Sequence, residues 1–115
     1  MKSDQVYIRH ILDAISRIEQ FLSDADRGRL EKDALLKNGL VRECEIIGEA
    51  CSRISVEFRK KAAGIPWAEI IAMRNRLIYA YFDVDLDILW KTCTEDVQNL
   101  KKELEPFLQD MPDRG

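Results

Sequence analysis

The residues best suited to chemistry lie together in segment 73–85, which contains two arginines, an amide and two phenols. Arg74 is flanked by apolar residues on both sides, so part of its side chain is expected to lie beside a buried surface. A guanidinium in that position is costly unless it is paired or binds an anion. The segment is therefore predicted to be a functional site, and its chemistry depends on Tyr79.

The spacing of these residues favours phosphate binding over acid–base catalysis. In a continuous helix Arg74 and Tyr81 would share one face, as would Asn75 and Tyr79. A guanidinium binds phosphate through a bidentate fork, and the amide and hydroxyls add further hydrogen bonds. Tyrosine ionises near pH 10, roughly three units above histidine, so it is a poor general base. The single histidine, His10, is predicted to have a structural or surface role.

Length and composition indicate one soluble globular domain. The chain has 115 residues, of which 46% are apolar and 34% are charged. That is enough for one hydrophobic core and too little for two. No apolar run is long enough to span a bilayer, and the polar first residues do not resemble a signal peptide. The expected compartment is the cytoplasm.

The cysteines are predicted to be core residues. Cys44, Cys51 and Cys93 are odd in number and fall on apolar helical faces, so a disulfide framework is not expected. With one histidine and no Cys-x-x-Cys pair, no metal site is expected either.

Charge is spread unevenly along the chain. The formal net charge of −3 argues against a general nucleic-acid coat, which is normally basic. From Arg53 to Arg76, however, six basic residues stand against two acidic ones, whereas from Asp83 to Gly115 nine acidic residues stand against four basic ones. The basic segment could recruit a phosphate backbone, or its charges could belong to ordinary solvated helix faces.

Apolar residues recur at steps of three and four throughout, which predicts helices. A first helix is expected from about Asp4 to Ser23, with Ser3 or Asp4 as its N-cap. A second helical region runs from about residue 26 to 61, either as one long helix or as two stacked pieces. Asn38-Gly39 is its candidate kink or break.

Gly64 and Pro66 mark the clearest boundary, because glycine suits a helix C-cap and proline suits a first turn. A third helix is expected over about 66–80, and a fourth from Val84 or Asp85. The predicted fold is all-α, an up-and-down bundle of four to five helices. Residues 1–110 would form the single domain, and Pro106 together with the frayed tail of residues 111–115 would end the fold.

Several short segments of the chain together carry a family resemblance. They are Gly48-Glu49-Ala50, Ser55-Val56-Glu57-Phe58, Ile65-Pro66-Trp67, Met73-Arg74-Asn75-Arg76-Leu77-Ile78, Tyr81 and Val84-Asp85. With them the chain resembles the HepT family, the HEPN-fold toxins of prokaryotic toxin–antitoxin pairs of the HepT/MntA type. The resemblance covers most of the chain.

The motif of that family is Arg, four variable residues, His, one variable residue and Tyr. Arg74 fills the arginine position, Asn75 the polar position after it, and Tyr81 the terminal tyrosine. The histidine position is occupied by Tyr79, which is the one departure at a position that matters.

The resemblance implies the toxin of a type VII toxin–antitoxin system, a metal-independent endoribonuclease that works as a homodimer with a cleft shared between two subunits. Arg74 would bind the scissile phosphate, assisted by Asn75, and RNA would also contact Arg76 and Arg53. The implied partner is a small MntA-like nucleotidyltransferase antitoxin. It would transfer AMP from ATP to Tyr81, and the chain itself would need no cofactor.

Tyr79 alters that expectation for this chain. General acid–base catalysis contributes a factor of roughly 10² to 10⁴, much of which a neutral phenol would forfeit. RNA binding with weak or absent cleavage is therefore predicted. The tyrosine could be an engineered inactivating substitution or a natural degeneration. Two alternatives remain open: a non-catalytic binding or substrate subunit of a nucleotidyltransferase, and a structural helical dimer without a nucleic-acid partner.

Overall fold

A computed structural model describes residues 3–77 and 84–108, except for the side chain of Arg74. Every regular element in these ranges is helical, which confirms the all-α prediction. The α-helices are α1 (Asp4–Leu22), α2 (Arg27–Lys32), α3 (Ala34–Arg53), α4 (Val56–Lys61), α5 (Trp67–Leu77), α6 (Leu86–Lys91) and α7 (Val97–Leu108), and a π-helical turn (Thr92–Asp96) joins α6 to α7.

The core forms where α3 packs between α1 and α5, with α7 against α1. The buried face of α1 carries Ile8, Ile11, Ile15 and Ile18, each no more than 2% exposed. Three long helices and the α6–α7 region form the bundle, and α2 and α4 are short connecting helices. None of the described helices is long and apolar enough to cross a bilayer.

The second helical region breaks at positions other than the expected one. Asn38-Gly39 lies inside a continuous α3, and the interruptions come at Asp33 and at Ile54-Ser55. Gly39 is tolerated because the Phe21 ring covers it: a Cβ there would lie 3.2 Å from Cε2 of Phe21. Asp33 separates α2 from α3 because its carboxylate accepts a hydrogen bond from the Leu36 amide at 3.0 Å, and that bond lowers the pKa of the carboxyl.

Asp4 has a different role from the predicted N-cap. Ser3 occupies the N-cap position of α1, without a side-chain hydrogen bond to the helix. The Asp4 carboxylate instead accepts bonds from the Ser55 amide (2.8 Å) and the Ser55 hydroxyl (2.6 Å). It therefore ties the start of α1 to the start of α4, 51 residues along the chain.

The last helical region begins where predicted, with Asp85 as N-cap accepting from the Ile88 amide at 3.0 Å. Pro106 does not end the fold, because α7 continues past it to Leu108. The π-helical turn carries Cys93 inward, and its Sγ lies 3.7 Å from Sγ of Cys44. All three cysteines are free and buried, which confirms the prediction of core positions.

Candidate functional site

The described part of the predicted site on α5 is residues 73–77, and aromatic packing fixes the start of that helix. Trp67 is only 7% exposed and donates from Nε1 to the Ala62 carbonyl at 3.1 Å. Its ring packs edge-on against Phe58, which in turn contacts Phe107 at 5.0 Å between centroids. The first turn of α5 is thus held to both α4 and α7.

Close contact with α3 positions the middle of α5. A Cβ built on Gly48 would lie 3.7 Å from the Ile70 carbonyl oxygen and 3.8 Å from that of Ile71. The backbones therefore approach closely at this glycine, the residue that leaves most room between two helices. Met73 and Leu77 bury the face of α5 that points into the core.

The end of α5 is anchored by a return of the chain. The Asp85 amide donates to the Leu77 carbonyl at 2.8 Å, so the residues on either side of segment 78–83 are held together. Tyr79 and Tyr81 belong to that segment and lie outside the described residues. Arg74 lies in the last turns of α5, upstream of Leu77.

Asn75 is exposed and opens into a groove between α3 and α5 with a volume of about 510 Å³. The other residues around this groove, called the α5 groove below, are Arg42, Glu45, Gly48, Glu49, Ser52 and Ile71. Cationic, anionic and amide groups therefore surround one solvent-filled space beside the motif. Such a groove can hold a polar ligand against Asn75.

Arg76 points elsewhere. It lines a separate cavity of about 190 Å³ between α5, the π-helical turn and α7, together with Glu69, Lys91 and Asp96 among others. Its guanidinium donates to the Glu69 carbonyl at 3.1 Å. The structure therefore does not bring Arg76 into the groove that holds Asn75.

Arg53 lines a third space, of about 710 Å³, between α1 and α3. Its Nε donates to Glu49 at 3.0 Å, and this carboxylate raises the pKa of the guanidinium. Tyr7 and the exposed His10 line the same space, with their rings edge-on at 6.1 Å. This space, called the α1 groove below, shares Arg42, Glu45 and Glu49 with the α5 groove.

The sequence interpretation missed the residues that separate these two grooves. Arg42 and Glu49 are exposed on α3 and border both spaces. Their seven-residue spacing would have placed them on one helical face, but it could not have shown that α1 and α5 flank that face.

Four basic residues of segment 53–76 are held by local contacts; they are Arg53, Arg59, Lys61 and Arg76. Arg59 donates to the carbonyls of Cys51 and Ser52 at 2.9 and 3.0 Å, and these hydrogen bonds cap the C-terminal end of α3. Lys61 lies over the Phe107 ring at 5.7 Å. Within the described ranges, no group of three or more His, Cys, Asp or Glu residues could hold a metal ion. Burial raises the pKa of Cys51 to about 12, which keeps that thiol protonated.

Comparison with known proteins identifies relatives over almost the whole chain. The model of the family described as "Ribonuclease HepT-like" matches residues 11–107. No solved structure matches the chain significantly.

Among similar proteins, "Probable ribonuclease HepT" of Thermococcus cleftensis is 38% identical over 104 residues, covering 90% of this chain and 94% of its own. "Putative RNase MJ1380" of Methanocaldococcus jannaschii is 36% identical over 101 residues, covering 88% of this chain and 93% of its own. "Gamma-glutamylcyclotransferase and putative RNase MJ0434" of the same organism is 36% identical over 110 residues. This chain spans half the length of that last relative.

Proposed function

The chain belongs to the HepT-like ribonuclease family, and we propose that it is the toxin of a type VII toxin–antitoxin system that binds RNA and cleaves it weakly or not at all. The observation that carries the proposal is the position of the motif. Arg74 and Asn75 occupy the last turns of α5, and Asn75 opens into a polar groove beside α3.

In the proposed reaction the ribose 2'-hydroxyl loses its proton and attacks the adjacent phosphorus to form a 2',3'-cyclic phosphate. The bond from phosphorus to the 5'-oxygen breaks, and the 5'-oxygen takes up a proton and leaves as a hydroxyl. Arg74 binds the phosphate and stabilises the charge that develops on its oxygens. Asn75 positions the same phosphate from the α5 groove. A general base must take the proton of the 2'-hydroxyl, and Tyr79 stands at the position where the motif has histidine.

RNA contacts beyond the phosphate site are assigned to Arg76 and Arg53. Arg76 lines the cavity between α5 and α7, whereas Arg53 lines the α1 groove between α1 and α3. Both are therefore proposed as outer contacts along the RNA backbone, with smaller effects on cleavage than on binding. The proposed compartment is the cytoplasm.

Regulation is proposed to act at Tyr81. Its phenol oxygen would attack the α-phosphorus of ATP, bound to an MntA-like nucleotidyltransferase partner, and pyrophosphate would leave. The product is an AMP ester of Tyr81, within the same motif as Arg74. The added phosphate and nucleoside would block access of RNA to the site, while the chain needs no cofactor of its own.

The central experiment restores histidine at position 79. The Tyr79→His variant should cleave single-stranded RNA in the presence of EDTA at least about 100-fold faster than the unchanged protein, because a general base returns. The matched control is the double variant Tyr79→His/Arg74→Ala, which should lose the gained activity. If Tyr79→His cleaves no RNA, the ribonuclease proposal fails.

A second experiment tests modification. The protein is incubated with ATP and a nucleotidyltransferase encoded beside its gene, and its intact mass is measured. An increase of one AMP is expected for the unchanged chain and none for Tyr81→Phe. An equal increase in Tyr81→Phe would show that another residue is modified.

The second candidate function, a non-catalytic subunit that presents Tyr81 to a nucleotidyltransferase, is favoured by Tyr79 itself. A chain under selection for RNA cleavage would keep an imidazole there. Modification of Tyr81 without any RNA binding would support this alternative.

A further inference from the structure

The outer face of α3 carries a regular stripe of exposed residues. Leu35, Arg42 and Glu49 are seven residues apart, which is close to two helical turns, so they lie along one line. Leu35 is 86% exposed, an unusual position for a large aliphatic side chain at the start of a helix. This stripe lies between the α1 groove and the α5 groove, and no described element packs on it.

The stripe is complementary to itself when it is reversed. Arg42 and Glu49 are equally far from the step between Glu45 and Ile46. A two-fold axis through that step, perpendicular to the helix, would lay α3 antiparallel on the α3 of a second copy. Arg42 of each copy would then face Glu49 of the other, forming two ion pairs.

The same axis also accounts for the apolar groups on this face. The half-buried Ile46 would meet Ile46 of the second copy beside the axis. Leu35, at one end of α3, would approach the 64% exposed Val56, which follows the other end in the second copy. Two of the most exposed aliphatic side chains would thus come together in one register.

We propose that the outer face of α3 is the surface on which a second copy of this chain docks, in the antiparallel register that pairs Arg42 with Glu49. This inference rests on the proposed ribonuclease function, for which the family resemblance implies a homodimer, and it specifies the interface of that dimer. Charge complementarity between Arg42 and Glu49 argues for a second copy as the occupant, because in this register each of the two residues meets its opposite charge on the other copy.

The register has a consequence for the site. In each copy the α5 groove lies on the side of α3 that faces α5. The two-fold axis exchanges the two α3 helices without exchanging their sides, so both grooves lie on the same flank of the paired helices. Each groove is bordered by Arg42 and Glu49, the residues that the second copy contacts. The two copies of Asn75 therefore open toward one shared cleft, which a single chain cannot form.

Charge reversal tests the register directly. Arg42→Glu and Glu49→Arg each oppose like charges twice across the axis, so each should weaken dimerisation at least about tenfold in sedimentation equilibrium. The double variant restores both ion pairs in reversed order. Its dimer dissociation constant should return to within about threefold of that of the unchanged chain. Glu105→Arg, the same charge change on an exposed position of α7, is the matched control and should have no effect.

Glu49→Arg also removes the exposed pair with Arg53, which contributes little to stability, and circular dichroism checks that every variant is folded. A chain that stays monomeric at all concentrations, or single variants that dimerise normally, would overturn the proposal. So would a double variant no better than the singles.

Cross-linking provides a second measurement. Ile46→Cys should form a disulfide-linked dimer under mild oxidation by oxidised glutathione, which accepts the two electrons and leaves as two reduced thiols. The native cysteines are buried, so the unchanged chain should give no linked dimer. Absence of the link in Ile46→Cys would contradict the register.

The interface and the enzymatic proposal can fail separately. If the charge variants behave as expected but Tyr79→His cleaves no RNA, the interface stands and the ribonuclease proposal falls. If Tyr79→His cleaves RNA and the charge variants still dimerise, the reaction stands and the two-fold axis lies elsewhere.

Discussion

Asn75 and Arg76 are neighbours in the chain, yet they serve two different regions of the molecule. Asn75 opens into the α5 groove of about 510 Å³, beside the exposed charged face of α3. Arg76 lines a cavity of about 190 Å³ against the π-helical turn and α7. The first region is wide and borders the proposed interface, whereas the second is small and lies where three elements meet.

The difference follows from helical geometry. Successive residues of an α-helix point about 100° apart, so adjacent polar residues serve different neighbours whenever both sides of the helix are packed. Consecutive polar residues of a helical motif therefore do not form one site. Asn75 and Arg76 face two separate spaces with different polar neighbours.

The largest expected effect is on the stability of α5, the helix that carries both Asn75 and Arg76. Leu77 is fully buried on the face of α5 that points into the core, so Leu77→Ala should lower the free energy of unfolding by about 2–5 kcal/mol. Urea denaturation measures the change. The exposed Glu69→Ala on the same helix should cost less than about 0.5 kcal/mol. Equal effects of the two substitutions would mean that α5 is not anchored by this face.

The next prediction separates the two neighbours by their effect on RNA cleavage. In the Tyr79→His background, Asn75→Ala should slow cleavage about 10- to 100-fold, because a donor aimed at the phosphate is lost. Arg76→Ala should slow it less than about threefold, because its cavity lies on another side of α5. Single-turnover cleavage at saturating protein measures both. A larger loss for Arg76→Ala would reverse the assignment of the two regions.

A third change acts only on the α3 side of α5. Gly48→Leu adds bulk where the two backbones meet and should cost about 1–3 kcal/mol in unfolding free energy. Gly48→Ala places its methyl group in ordinary van der Waals contact and should be neutral or stabilise by up to about 1 kcal/mol. Thermal unfolding compares the pair. Strong destabilisation by alanine would show that the helices are closer than the structure places them.

The smallest effect concerns pH and the α7 side. Hydrogen bonds from Gln98 and Lys101, each at 3.0 Å, lower the pKa of Glu19 and tie α7 to α1. A lowered folded-state pKa stabilises above the unfolded value, near pH 4.3, and that stability is lost as pH falls through the folded pKa. For this half-exposed pair about 0.5 kcal/mol is expected.

The free energy of unfolding of Glu19→Gln should be measured between pH 7 and pH 3. At pH 7 it should already be lower than that of the unchanged chain by this amount. The difference from the unchanged chain should then shrink toward pH 3. A difference that grew as the pH fell would contradict the sign of the shift.

Much of the fold could be predicted because its signals are local. Apolar periodicity located α1 to within a residue at its end, and the predicted fourth helix begins directly after the Asp85 cap. The breaks around α3 could not be predicted from local signals. Gly39 stays helical because Phe21 covers it, and the chain turns at Ser55 where Asp4 binds across 51 residues.

The candidate site was predictable as a set of residue types and not as an arrangement. The motif around Arg74 was visible in the sequence, and the family match bears out the resemblance. Arg53, Asn75 and Arg76 were expected to act together, but the structure distributes them over three spaces. The roles of Tyr79 and Tyr81 remain predictions, since both lie outside the described residues.

The sequence by itself determined the helical class and the position of the long helices, because these depend on spacing along one segment. The family followed from a resemblance carried by several short segments. The tertiary structure alone decided which sides of α5 face α3 and α7, and that Arg42 and Glu49 of α3 are exposed in the part of the chain that the structure describes. The physical reason is that periodicity sets the angle between side chains on one helix. The neighbour that packs against each face depends on contacts between residues far apart in the chain.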